Sequence, residues 1–76
     1  MEYTPALIGR TIRQLRRARR QSQEVLSGLA GIERSHLAKI ERGTKAANIE
    51  TLARIARAFD MKLSELFALI EQDENE

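Results

Sequence analysis

The fold is decided by residues 22–43, which read SQEVLSGLAGIERSHLAKIERG. Ser22 is a good N-cap and predicts the start of a short helix. Gly31 adopts a positive φ without a steric penalty, so it predicts that this helix ends and that the chain turns sharply. A second short helix is predicted from about Glu33 to Arg42, where Gly43 supplies another left-handed cap. The stretch therefore encodes two short helices joined by a tight turn.

The flanking sequence also has helical periodicity. Thr4 and Pro5 are a typical helix start, and an apolar stripe then extends the first helix to about Arg20. Asn48 is the predicted cap of a fourth helix, and a fifth helix follows Asp60. The sequence lacks the alternation that is typical of strands, so it predicts an all-α fold of five helices.

Length and composition limit the kind of protein. The 76 residues fit a single domain, 1–76, in which the acidic residues 71–76 have nothing apolar to bury and are predicted to be disordered. The sequence contains no cysteine, so disulfides and cysteine-ligated metals are excluded, and no metal or other cofactor is expected. No apolar run approaches the roughly 18 residues of a membrane span, so we expect a cytoplasmic protein without a membrane partner.

The net charge of +2 conceals a strong asymmetry along the chain. Residues 10–45 carry ten basic and three acidic side chains, whereas residues 46–76 carry three basic and seven acidic ones. A basic face of this kind fits a polyanion such as nucleic acid. Arginine-rich helices are as often plain solvated surface, so the charge alone leaves the partner open.

The helix predicted to follow Gly31 has a polar outer side. Its outward side chains are predicted to be Arg34, Ser35, Ala38 and Lys39, with His36 at the flank. Arg34 and Lys39 can donate to guanine acceptors, and Ser or His can donate or accept. A small residue at position 38 favours close approach to a groove. A solvated surface helix explains the same pattern equally well.

The helix pair and the sequence after it resemble a known family. Residues 22–43, the run IETLARIARAF (49–59) and the run LSELF (63–67) are similar to the Cro and lambda-repressor type of helix-turn-helix regulators, also called the XRE type. The resemblance covers about Ile8 to Phe67. It implies a compact five-helix lambda-repressor-like domain that binds DNA through a helix-turn-helix at helices 2 and 3.

The resemblance also implies roles for individual residues. Those that match base-contacting positions are Arg34, Ser35, His36 and Lys39. Those that match positions contacting the DNA backbone are Ser22, Gln23, Arg42 and Arg16. Arg16 and Glu41 match a pair that forms an ion bridge between the first and third helices, and Gln23 matches a residue that also braces the recognition helix. Ordinary exposed polar surface is the alternative for each residue.

Three residues depart from the family's pattern. Glu33 stands where the family often has a capping Ser or Thr, and its carboxylate either repels phosphate or accepts a hydrogen bond from a cytosine amine. Asp60 replaces a common glycine after the fourth helix, and Lys62 replaces a common capping serine. These departures affect the predicted helix boundaries more than the predicted function.

We therefore expect a regulator of transcription that binds double-stranded DNA as a homodimer. Placing the recognition helices in successive major grooves predicts a palindromic operator with half-sites about 34 Å apart. Phe67, Leu69 and Ile70 are the predicted dimer interface, since they exceed what one small core needs; the alternative is that they cover the monomer core. Contact with RNA polymerase, and hence activation, is as compatible with the sequence as repression, and no small-molecule ligand is expected.

Several biological contexts fit the same residues. Restriction-modification controllers, phage repressors and stand-alone regulators are all represented among proteins of this type. The alternative function is an antitoxin-like protein that binds a toxin and autoregulates its operon, although the chain has little beyond a DNA-binding core with which to neutralise a toxin. We do not expect an enzyme, because the sole histidine, His36, lies on a polar helix and no paired carboxylates follow a pocket-forming pattern.

Overall fold

The computed structural model describes residues 2–75 and places them in five α-helices, as the sequence predicts. The helices are α1 (Pro5–Ala18), α2 (Gln23–Ala30), α3 (Arg34–Arg42), α4 (Ile49–Ala58) and α5 (Leu63–Glu74). α3 packs against α1 and α2, while α4 packs against α2 and α5. α5 closes the domain by packing on α1. In this described part of the chain, no helix has the length and apolar character needed to cross a membrane.

Side chains cap three of the five helix starts. The predicted caps each accept a hydrogen bond from the backbone N–H three residues later: Thr4 from Leu7 (3.1 Å), Ser22 from Val25 (3.0 Å) and Asn48 from Thr51 (2.8 Å). These bonds satisfy amides that have no partner inside the helix. α5 begins differently, because the Glu65 carboxylate accepts from the backbone N–H of Lys62 at 2.7 Å. The three predicted caps are confirmed.

Left-handed residues end four of the helical segments. Gly31 and Gly43 have φ values of 70° and 77°, which confirms the two predicted turns. α1 ends at Ala18 rather than about Arg20, because Arg20 itself adopts a φ of 56°. Asp60 does the same after α4, with a φ of 58°. The aspartate therefore adopts, at some steric cost, the conformation that glycine adopts freely.

The core lies where the five helices meet. Its largest fully buried side chains are Phe59, Ile12, Leu26, Leu37, Ile40, Ile55, Leu66 and Ile70. Every helix contributes at least one of these side chains, so no helix can detach without exposing apolar surface to water.

Ile70 and the end of α5 differ from the sequence-based expectations. Ile70 is 0% exposed and belongs to the monomer core, so its assignment to a dimer interface is wrong. The helix also continues through Glu74, although residues 71–76 were expected to be disordered. The reason is Asp73, which is buried and accepts a hydrogen bond from the Thr11 hydroxyl at 2.8 Å. Glu76 lies outside the described residues.

The segment before α1 packs on α5. The ring of Tyr3 meets that of Phe67 edge-on, with 5.3 Å between the ring centroids. The Tyr3 hydroxyl donates a hydrogen bond to the Glu71 carboxylate. That bond raises the pKa of Tyr3 above its usual value, since losing the phenolic proton would leave two negative groups in contact. Residues near both ends of the chain are thereby joined.

Gly9 allows α1 to approach α3 closely. A Cβ atom at this position would lie 2.1 Å from the backbone oxygen of Ile40. Real Cβ atoms do not approach an oxygen so closely, so any larger residue at position 9 must push the two helices apart.

We predict that Gly9→Ala lowers the free energy of unfolding by about 1–3 kcal/mol, the usual cost of overpacking a core. The matched control is Gly28→Ala, because a Cβ at Gly28 has no heavy atom within 4 Å. Alanine is the better helix former, so the control should be neutral or more stable by up to about 1 kcal/mol. Urea unfolding followed by circular dichroism measures both. A Gly9→Ala protein as stable as the Gly28→Ala protein would contradict the close approach of α1 and α3.

Candidate nucleic-acid interface

The outer face of α3 carries an exposed set of polar side chains. Arg34, Ser35, Lys39 and Arg42 are exposed, and His36 is partly buried. Ala38 was expected on this face but is only 9% exposed. α3 packs against both α1 and α2, so its buried arc is wider than the stripe of Leu37 and Ile40 suggests. The four predicted base-contacting residues therefore lie on or beside one face, but the position of Ala38 was wrongly predicted.

A shallow concavity lies at the edge of this face. It has a volume of about 230 Å³ and is lined by Glu33, Ser35, His36, Lys39 and Lys45. Lys45 lies in the segment between α3 and α4 and had no predicted role. A basic residue two positions after Gly43, which ends α3, was the available signal. Lys45 adds a second ammonium group beside that of Lys39.

Glu41 connects the three helices that build this face. Although it belongs to α3, its side chain is only 2% exposed. Its carboxylate accepts from Arg16 of α1, with Nε–Oε2 and Nη2–Oε1 distances of 2.8 and 3.0 Å. The same carboxylate accepts from Gln23 Nε2 of α2 at 3.1 Å. One buried side chain thus fixes α3 relative to both neighbours.

The geometry assigns Arg16 and Gln23 to positioning. Arg16 Nη1 donates to the backbone oxygen of Gln21 at 2.7 Å, so all three guanidinium nitrogens donate within the protein. The Arg16 side chain is 11% exposed, which leaves little of it for the phosphate contact implied by the family resemblance. The partly buried Gln23 holds Glu41 through its amide nitrogen.

The remaining predicted backbone-contacting residues lie at the ends of the helices. Ser22 uses its hydroxyl oxygen to cap α2, which leaves the hydroxyl hydrogen as a donor. Arg42 is exposed in the last turn of α3. Both sites present donors of the kind that bind phosphate oxygens. Within residues 2–75, no group of three or more acidic, histidine or cysteine side chains is placed to hold a metal ion.

Phe67 and Leu69 do not share one surface. Both are partly buried, but they flank the buried stripe of Leu66 and Ile70 on opposite sides, since residues two positions apart on a helix point about 200° apart. Phe67 lies against Tyr3. Leu69 instead lines a groove of about 270 Å³ between α5 and α1. The two residues cannot both belong to one flat interface.

Comparison with known proteins identifies the fold and its relatives. A family model described as a helix-turn-helix domain matches residues 7–69. The chain is 36% identical over 63 residues to y4dL, an HTH-type transcriptional regulator of Sinorhizobium fredii. It is 30% identical over 69 residues to the competence pilus inhibition repressor of Acinetobacter baylyi. These matches cover 83% and 91% of this chain.

The chain spans 32% of the length of y4dL and 63% of that of the competence pilus repressor. One similar solved structure is that of the restriction-modification controller protein C.AhdI of Aeromonas hydrophila. It superposes with a TM-score of 0.79 at 35% identity, and the match covers 83% of this chain and 96% of C.AhdI. The predicted resemblance and the predicted fold are confirmed.

The buried Glu41 carboxylate generates a stability prediction. Glu41→Ala leaves the Arg16 charge buried without its partner, so it should lower the free energy of unfolding by about 3–5 kcal/mol. The matched control is Glu50→Ala, because Glu50 pairs with Arg54 on the surface and is 65% exposed. Exposed pairs contribute about 1 kcal/mol or less. Chemical unfolding of both variants measures the difference, and equal losses would show that Glu41 does not hold the helices together.

Proposed function

This chain belongs to the helix-turn-helix domain family, and we propose that it regulates transcription by binding a palindromic DNA operator sequence-specifically as a homodimer. The observation that carries the proposal is the exposed polar face of α3, held in place from behind by the buried Glu41. Four polar side chains on a rigid helix fit the edges of base pairs in a major groove. A face that was merely solvated would need no buried ion pair to orient it.

The exposed side chains divide into those that contact bases and those that contact phosphates. Arg34 and Lys39 carry the donors that match the O6 and N7 acceptors of guanine, and Ser35 and His36 complete the reading face. Ser22 and Arg42 contact phosphates at either end of the helix pair, which sets the register without reading sequence. The basic balance of residues 10–45 supplies the electrostatic attraction that brings the protein to DNA.

The homodimer forms on the side of Tyr3 and Phe67. Tyr3 is 45% exposed and lines a concavity with Ala46 and Ala47, two residues before Ile49, which is 63% exposed. The apolar surface beside Tyr3 therefore extends along the segment between α3 and α4. A twofold-symmetric dimer carries two copies of α3, and binding to successive major grooves requires both copies on the same side of it.

We predict that Arg34→Ala and Lys39→Ala each weaken binding to the selected operator by about 1–3 kcal/mol and relax the preference at one base pair of each half-site. The operator is first selected from random duplex DNA, and affinities are then measured by fluorescence anisotropy. The matched control is Arg57→Ala, which removes the same charge from an exposed position beside Arg19 and Gly31, away from α3. Equal weakening on every sequence would make the substituted residue a phosphate contact.

The dimer surface is tested separately. Ile49→Glu places a charge in the proposed interface and should shift the protein to monomer in sedimentation equilibrium. Glutamate in the first turn of α4 suits the helix dipole, so folding should be unaffected. The matched control is Leu29→Glu, since Leu29 is 61% exposed on α2 beside Arg54 and Arg57. A wild-type protein that is monomeric at high micromolar concentration would remove the dimer from the proposal.

A further inference from the structure

Glu33 immediately precedes α3, and its side chain forms no hydrogen bond or ion pair with the described residues 2–75. Its backbone occupies the N-cap of α3, with φ and ψ of −71° and 143°, but the carboxylate accepts no capping hydrogen bond. At Thr4, Ser22 and Asn48 the side chain does cap its helix. A side-chain cap stabilises a helix by about 1 kcal/mol. α3 lacks that stabilisation at the residue next to the proposed base-contacting side chains.

The surroundings of Glu33 place it among the proposed base readers. It is exposed and lines the shallow concavity with Ser35, His36 and Lys39. In helix-turn-helix proteins, the N-terminal residues of the recognition helix are the ones that meet base edges. The Glu33 carboxylate therefore lies at the end of α3 from which base edges are contacted in this type of protein.

Only a few groups in a major groove can bind a carboxylate. Phosphates, guanine O6 and N7 and thymine O4 are all acceptors or anions, so each repels it. The available donors are the amines of cytosine and adenine, and adenine places its N7 acceptor beside the amine. Cytosine presents the amine without that acceptor. A carboxylate at this position thus favours cytosine over the other three bases.

We infer that Glu33 reads a cytosine in each half-site by accepting a hydrogen bond from the N4 amine. This inference rests on the proposed function, since it assumes that α3 enters the major groove. The carboxylate acts mainly by weakening binding to the wrong sequences, because guanine or thymine at this position leaves a desolvated negative charge facing an acceptor. The ammonium groups of Lys39 and Lys45 offset its repulsion of the phosphates nearby.

The inference is tested by changing first the protein and then the DNA. Sequences are selected from random duplex DNA with the wild-type protein and with Glu33→Gln. The wild type should enrich a cytosine that the variant no longer requires, and the variant should accept adenine there, because a glutamine amide can bond to adenine N6 and N7. Glu33 makes no capping bond, so the variant should fold as the wild type does.

The chemical half of the test changes the DNA. N4-methylcytosine keeps its Watson–Crick pairing but replaces the groove-facing amine hydrogen with a methyl group. Placed at the selected cytosine, it should weaken wild-type binding roughly tenfold or more, the effect of losing one good base contact. It should leave Glu33→Ala binding nearly unchanged, because alanine offers no acceptor to the amine. The matched control is Glu24→Gln, which removes the same charge from the first turn of α2. This control should keep the wild-type sensitivity to the methyl group.

Three results would overturn the inference, and they are distinguishable. If Glu33→Gln and Glu24→Gln both bind every sequence more tightly, by similar factors and with unchanged preference, then Glu33 only repels phosphate. If the wild-type protein enriches no sequence at all, the proposed function fails and the inference fails with it. An operator that is enriched but lacks the cytosine overturns the inference and leaves the proposed function standing.

Discussion

The rest of the structure depends on one buried carboxylate. Glu41 accepts hydrogen bonds from Arg16 of α1 and Gln23 of α2 while it is itself part of α3. Removing two charges from water costs nearly as much as their attraction returns, so the pair contributes little net stability. It contributes orientation instead, because its directional hydrogen bonds cannot be satisfied if α3 rotates or slides. Apolar contacts alone tolerate such movements far better.

The apolar packing supports the same orientation from a second point. Gly9 lets the backbone of α1 approach the carbonyl of Ile40, directly before Glu41 in α3. The close backbone contact fixes the distance between α1 and α3, and the ion pair fixes their rotation. At the other end of the domain, Asp73 of α5 accepts from Thr11 and Arg10 of α1. α1 is therefore held by polar contacts on both sides of the core, and the recognition helix is fixed to it.

The sequence predicted those features that depend on neighbouring residues and missed those that depend on distant ones. The capping by Ser22 and the turn at Gly31 follow from local backbone chemistry, so they were predicted correctly. The order at the end of α5 depends on Thr11, which is 62 residues from Asp73 and gives no local signal. Ala38 was misplaced because a helix packed on two sides buries a wider arc than its apolar stripe indicates. The pairing of Arg16 with Glu41 was reached through family resemblance, since spacing allows many such pairs.

The charges of the candidate interface separate attraction from selection. On the proposed function, basic side chains on α1 and around α3 attract any duplex, and this attraction does not distinguish one sequence from another. Selection needs groups whose interaction free energy becomes unfavourable when the wrong base is present. A flexible side chain on a mobile helix moves away from the wrong base and so avoids that penalty. The rigid attachment of α3 through Glu41 prevents such an escape. On the proposed function, a buried ion pair that adds little stability increases specificity, because it makes a mismatch costly at the distant surface that is proposed to read the bases.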